Sequence, residues 1–142
     1  LVPAVPMLDM LRYHRFGIGA AWAADYGRAD DAEHPEHFAT LLAYSPLHRV
    51  SGLRPGHPFP PTLLLTAERD DRVHPAHAFK FTAALQHAAL GVPVLLRTAR
   101  RAGHGAGKSA AADADEKADL YTFLALALEL PFNAVVEPEA LP

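Results

Sequence analysis

Residues 62–107 read TLLLTAERDDRVHPAHAFKFTAALQHAALGVPVLLRTARRAGHGAG, and this stretch decides the fold. Leu63-Leu64-Leu65 is a short continuous apolar run, preceded by Pro60 and Pro61 and followed by charge from Glu68 onward. That is the pattern of a parallel strand buried on both faces. A polar loop, Glu68-Arg69-Asp70-Asp71-Arg72, leads to Pro75 at the first position of a helix. Phe79, Ala83, Ala84 and Ala88 give that helix an apolar stripe, and Gly91 stops it. Val92-Pro93-Val94-Leu95-Leu96 predicts a second strand, with Pro93 at its start or on a sheet edge. The glycine-rich loop from Gly103 to Gly107 then opens a helix over 110–128, closed by Pro131. The order β-α-β-α favours an α/β fold, a parallel sheet with covering helices. Two strands are too few, since sheets usually hold about four to six, so the remainder is expected from elsewhere.

Upstream, Tyr13, Phe16, Trp22 and Tyr26 stand among Gly17, Gly19 and Gly27. Residues 34–43, with Phe38, Leu41 and Leu42 apolar, predict a short amphipathic helix. Tyr44-Ser45-Pro46 ends it, because a residue before proline disfavours the helical region. Residues 51–61 are a loop by their proline and glycine content. The reading divides the chain into one α/β unit over 1–132 and a frayed tail over 133–142.

Composition narrows the function. The 142 residues are 50% hydrophobic and 20% charged, a globular balance rather than a disordered one. Thirteen Lys and Arg face sixteen Asp and Glu, for a net charge of −3, so no nucleic-acid partner is expected. No membrane partner is expected either, because no stretch approaches the roughly 18 apolar residues of a spanning helix. Without cysteine, thiolate metal sites, disulfides and thiol nucleophiles are excluded together. Leu1-Val2-Pro3-Ala4-Val5-Pro6 has no basic region and no initiator Met, so it is expected to be the interior of a longer chain rather than a signal peptide. The compartment is left open.

In open α/β sheets functional groups gather on loops at the carboxyl ends of strands. The first such loop offers Asp70, Asp71, Arg72 and Val73; the second offers His104. Asp before His is the chain order of an α/β-hydrolase triad, in which the His takes a proton from serine and the Asp fixes its tautomer. The serines, Ser45, Ser51 and Ser109, lie in no nucleophile elbow. Ser45 reads as a helix end and Ser109 as a helix cap. Residues 102–109 also satisfy a relaxed phosphate-loop pattern, with Lys108 as its cation. Simpler structural roles stand beside these. Trp22 and Tyr26 suit a core pair, and Arg72 a surface charge beside Asp71. His74 and His77 have a metal-like spacing without a third ligand. Asp113, Asp115 and Glu116 suit the positive end of the last helix.

Five blocks in order carry a resemblance: Leu8 to His14 (LDMLRYH), Trp22 to Gly27 (WAADYG), Tyr44 to His48 (YSPLH), Leu63 to Val73 (LLLTAERDDRV) and Ala102 to Lys108 (AGHGAGK). Together they resemble the C-terminal part of the peptidase domain of the prolyl oligopeptidase family, from about residue 5 to residue 130. The resemblance implies the C-terminal portion of an α/β-hydrolase fold, with an incomplete sheet. It implies a serine endopeptidase that cleaves short peptides after proline through an acyl-enzyme, with no metal or organic cofactor. It also implies that the AGHGAGK loop presents a catalytic His rather than a phosphate site. By motif, Asp70 and His104 match the catalytic aspartate and histidine. Arg72 matches the arginine that bonds a substrate carbonyl; Trp22 matches the indole that stacks on proline, and Tyr26 and Val73 match further walls. Met7 falls where the family often has a small aliphatic wall residue, and Gly17 and Ala20 stand where larger or polar residues are common, which reads as tolerated variation. The family's serine elbow, oxyanion donors, early strands and β-propeller would all precede Leu1, so the chain alone is expected to be inactive. Alternatives are a related dipeptidyl or acylaminoacyl peptidase, an esterase, or a serine-less remnant acting as a binding module.

Overall fold

A computed structural model describes residues 1–56, 58–105 and 108–131; the expected tail over 133–142 lies outside the described residues. The central strand β1, Thr62–Ala67, pairs in parallel with β2, Val94–Ala99, in the register Leu63↔Leu95, Leu64↔Leu96 and Leu65↔Arg97. Every residue of β1 is buried, as its uninterrupted apolar run requires. On its other side the N-terminal residues run parallel to it. The Leu63 and Leu65 amides donate to the carbonyls of Leu1 and Pro3 at 3.0 and 2.9 Å, and the Val5 amide donates to Leu65 at 2.9 Å. Ala4 bridges Leu65 in parallel. Part of the missing sheet is therefore the chain's own beginning. Its prolines mask the strand signal, yet the Pro3 carbonyl still accepts from the ladder.

Alternation along β1 separates two cores. Leu64 points to one face, where Leu8, Val50, Ala78, Leu85, Leu90 and Val94 close around it. That face is covered by α4, Ala76–His87. Leu63 and Leu65 point to the other face, against Phe123 of α5, Ala110–Ala127. Arg97, on the same side as Leu65, bonds Glu116 at 2.9 Å and Asp119 at 2.7 Å on α5. Leu95 remains 48% exposed, which makes β2 an edge, as Pro93 suggested. The expected α4 stripe is displaced: Phe79 and Ala83 are exposed, while His77, Ala78, Thr82 and Leu85 form the buried face.

Before β1 the chain is built of short helices. Two 3-10 turns, Tyr13–Arg15 and Gly17–Trp22, run into α1, Ala23–Tyr26. Helix α2 spans Glu36–Tyr44 and α3 spans Pro46–Arg49. Of the expected α2 stripe only Leu41 is buried; Phe38 and Leu42 face outward. Ser45 joins α2 to α3, and its buried hydroxyl accepts from the Met10 amide at 3.0 Å. Met10, Tyr13 and Leu41 form a third small core, with Trp22 packed against it.

This N-terminal unit is fastened to α4 from several directions. His77 is buried, and its Nδ1 accepts from the Asp9 amide at 3.0 Å. Burial pushes the His77 imidazole down to about 4, so the ring is neutral and Nε2 carries its proton. Asp9 is buried and bonded to Lys80. Burial alone would raise the Asp9 carboxyl, but the Lys80 ammonium, with Arg12 and His48, brings it below its ordinary value. The Phe16 ring stacks on His74 at 5.0 Å and meets His77 edge-on at 5.4 Å. His74 and His77 are thus occupied by packing and backbone contacts rather than by a shared ligand.

Candidate active site

The loops that leave the carboxyl ends of β1 and β2 converge. The Arg69 amide donates to the Ala102 carbonyl at 3.0 Å, and the Glu68 amide to Ala99 at 3.0 Å. This cross-linking brings His104 over Asp70: His104 Nδ1 lies 2.9 Å from Asp70 Oδ2 and 3.0 Å from Oδ1. Asp70 is 4% exposed. Its Oδ1 also accepts from the amides of Arg72 at 3.0 Å and Val73 at 2.8 Å. A buried carboxylate must be satisfied to be tolerated, and these donors satisfy it. The turn they form also separates the two acids of Asp-Asp-Arg-Val, with Asp70 inward and Asp71 exposed. With Asp70 receiving the Nδ1 proton, Nε2 of His104 is left as the acceptor, the tautomer a general base needs. Gly105, at φ +68, turns the chain directly after it.

His104 is a quarter exposed and borders an open depression of about 390 Å³ with Ile18, Asp71 and Arg72. Arg72 is exposed and, among the described residues, pairs with no carboxylate, so the surface ion pair with Asp71 does not form. A second depression, of about 360 Å³, is lined by Val5, Met7, Trp22, Asp25, Tyr26 and Val73. Trp22 ends one helical turn and Tyr26 the next, a four-residue spacing that puts both rings on one side. They are not simply a core pair: Trp22 backs onto the Met10 core, while Tyr26 is 43% exposed. The Tyr13 hydroxyl donates to the Gly27 carbonyl, and the Tyr13 ring meets Tyr26 edge-on at 5.7 Å. The structure thus brings Trp22, Tyr26 and Val73 together, with Arg72 and His104 beside them along the Asp70 turn.

Sequence reasoning passed over Val5 and Ile18 here, and misjudged Gly17. Met7 and Val5 line the second depression, carried there by the unrecognised N-terminal strand. Ile18 borders His104, with no sequence signal to announce it. Gly17, read as tolerated variation, is instead required. It sits at φ +49, and a Cβ there would come 2.7 Å from the Asp71 carbonyl.

The remaining candidates are committed elsewhere. Ser45 Oγ lies 2.8 Å from His48 Nδ1, Ser51 donates to the His48 carbonyl, and Ser109 accepts from the Ala112 amide as the α5 cap. Lys108 bonds Glu116 at 2.6 Å, which removes the cation that the phosphate-loop reading required. The described residues bring no metal-ligating cluster to the Asp70–His104 site.

Known proteins resemble this chain in sequence and fold. The family model described as the prolyl oligopeptidase family matches residues 1–130. A prolyl endopeptidase of Elizabethkingia miricola is 49% identical over 122 residues, which cover 85% of this chain and 17% of that protein. Among solved structures, one from an analysis of two prolyl endopeptidases superimposes with a TM-score of 0.82 at 45% identity, over 92% of this chain and 18% of that one. Prolyl oligopeptidase B from Galerina marginata, solved as a serine-to-alanine variant with a 35mer hydrolysis and macrocyclization substrate, gives 0.80 at 34% identity, over 94% and 18%. The chain therefore spans under a fifth of the length of the relatives it matches. Within that span, the chain belongs to the prolyl oligopeptidase family and carries part of its α/β-hydrolase fold.

Proposed function

We propose that this chain is the C-terminal part of the peptidase domain of a serine endopeptidase that cleaves short peptides after proline. Asp70 and His104 are two members of its triad; the third, a serine, belongs to upstream sequence, as do the oxyanion donors and a β-propeller. The observation that carries the reading is the contact of His104 Nδ1 with both oxygens of buried Asp70. His104 Nε2 takes the proton of the serine hydroxyl as it attacks the scissile carbonyl, and returns it to the leaving amine. Asp70 holds the imidazole in the required tautomer and stabilises the imidazolium, while its bonds from the Arg72 and Val73 amides keep it from turning away.

The second depression selects the substrate. The indole of Trp22 offers a flat apolar face to the pyrrolidine ring, with Tyr26, Val73 and Met7 as walls. Arg72, on the same turn as Asp70, supplies guanidinium donors to a substrate carbonyl. No step in this chemistry needs a metal or an organic cofactor. By itself the chain is inactive on peptides, because none of its three serines approaches His104.

The test separates chemistry from selection. In a polypeptide that joins this chain to a serine-bearing upstream segment, Trp22→Ala is expected to lower cleavage after proline by roughly 10- to 200-fold, the range for one hydrophobic pocket contact. Hydrolysis of a simple ester changes little. An equal fall in both activities would contradict the stacking role.

A further inference from the structure

We infer that His34, Glu36 and His37 form a surface site for a divalent cation of the zinc class. Their ligand atoms lie within 4.8 Å of one another, although nothing in the proposed peptidase chemistry uses them. His34 Nδ1 stands 3.3 Å from Glu36 Oε1. Two ligands about 2.0–2.2 Å from a tetrahedral zinc are roughly 3.4 Å apart, so this pair already has the separation an ion requires. The rings of His34 and His37 are 5.0 Å apart and tilted by 32°. The His37 amide donates to the His34 carbonyl at 3.0 Å, around Pro35. This turn holds the two imidazoles on one side before any ion arrives.

His37 is the least exposed of the three. Its Nδ1 is sealed from solvent without a hydrogen-bond partner, and the nearest carboxylate oxygen, Asp31 Oδ2, is 3.9 Å away. With Nδ1 turned toward Asp31, Nε2 is the nitrogen left for the ion, and Asp31 is placed to orient the ring once the ion draws it forward. A carboxylate behind a ligating histidine is the usual arrangement around such metals. Two imidazoles and one carboxylate favour zinc, nickel or copper over magnesium and calcium, which prefer all-oxygen shells.

The site reaches the second depression. The His37 ring lies against Gly27, where a Cβ would come within 2.7 Å of it. The Gly27 carbonyl accepts the Tyr13 hydroxyl, and the preceding residue, Tyr26, lines the depression. An ion on His37 would therefore sit next to the residues that carry the Tyr26 wall.

Calorimetric titration of the full 142-residue chain with Zn²⁺ tests the assignment, using His34→Ala, Glu36→Gln, His37→Ala and the control His87→Ala. Circular dichroism verifies that each variant keeps the fold. Wild type and the control are expected to bind one equivalent, unaffected by excess Mg²⁺, and each ligand variant to bind at least about tenfold more weakly. Zn²⁺ should also raise the melting temperature of wild type and not that of His34→Ala. Absence of saturable binding, equal affinity in the ligand variants, or equal affinity of the guanidinium-unfolded chain would overturn the proposal.

Discussion

The two halves of the site are positioned by different means. Asp70 and His104 stand on loops that continue adjacent parallel strands, and backbone amides hold Asp70 from beneath. The Trp22–Tyr26 wall hangs on short helical turns whose residues are mostly half-buried or exposed, fixed by side chains rather than by a sheet. The Asp70–His104 half therefore inherits the stiffness of the ladder, and the Trp22–Tyr26 half depends on side-chain fastenings to α4 and to the loop before it. Those fastenings include Gly17 against Asp71, Phe16 on His74 and His77, the Asp9 and Leu8 amides on His77, and Lys80 on Asp9.

The largest expected effect breaks the rigid half. In the serine-bearing polypeptide, Asp70→Asn is expected to lower kcat by about 10⁴-fold, the cost of presenting the wrong tautomer, with KM for a proline peptide nearly unchanged. Steady-state kinetics reads the split, and a KM effect without a kcat effect would assign Asp70 to binding instead. The next effect falls where the halves touch. Gly17→Ala forces a side chain into the left-handed region at about 1–2 kcal/mol and against the Asp71 carbonyl. Denaturant unfolding should show a loss of at least that size, and an unchanged midpoint would mean that the two halves are not pressed together there.

A third effect is graded by pH. His77 is held near 4, below the 6.5 of the free imidazole. Above pH 6.5 both folded and unfolded states are neutral and its contribution is complete. Between 6.5 and about 4 the unfolded chain binds a proton that the folded chain refuses, so stability falls at up to about 1.4 kcal/mol per pH unit. The His77→Gln variant, which keeps an acceptor without titrating, should flatten that slope. An identical slope in the variant would place the loss elsewhere.

Much of this was legible in the sequence, for physical reasons. Leu63-Leu64-Leu65 announced a doubly buried strand because a parallel strand needs apolar residues on both faces. Ser109 announced a cap because its hydroxyl suits the free amides of a helix start. The order of Asp70 and His104, with the five blocks, located the pair. The N-terminal strand was not legible, because Pro3 and Pro6 look like strand breakers when only their missing amides are considered. The buried face of α4 was misplaced because His77 and Thr82 are polar, and only the Asp9 amide explains why an imidazole belongs inside. Gly17 looked replaceable because the Asp71 carbonyl that crowds it lies far away in sequence.

The account rests on the Asp70–His104 contact, and nitrogen-15 NMR of the His104 ring in this chain reads it most directly. At neutral pH the spectrum should show Nδ1 protonated and Nε2 bare, and Asp70→Asn should move the proton to Nε2 while the fold is kept. A His104 ring that carries its proton on Nε2 from the outset, with the same spectrum in Asp70→Asn, would contradict the account.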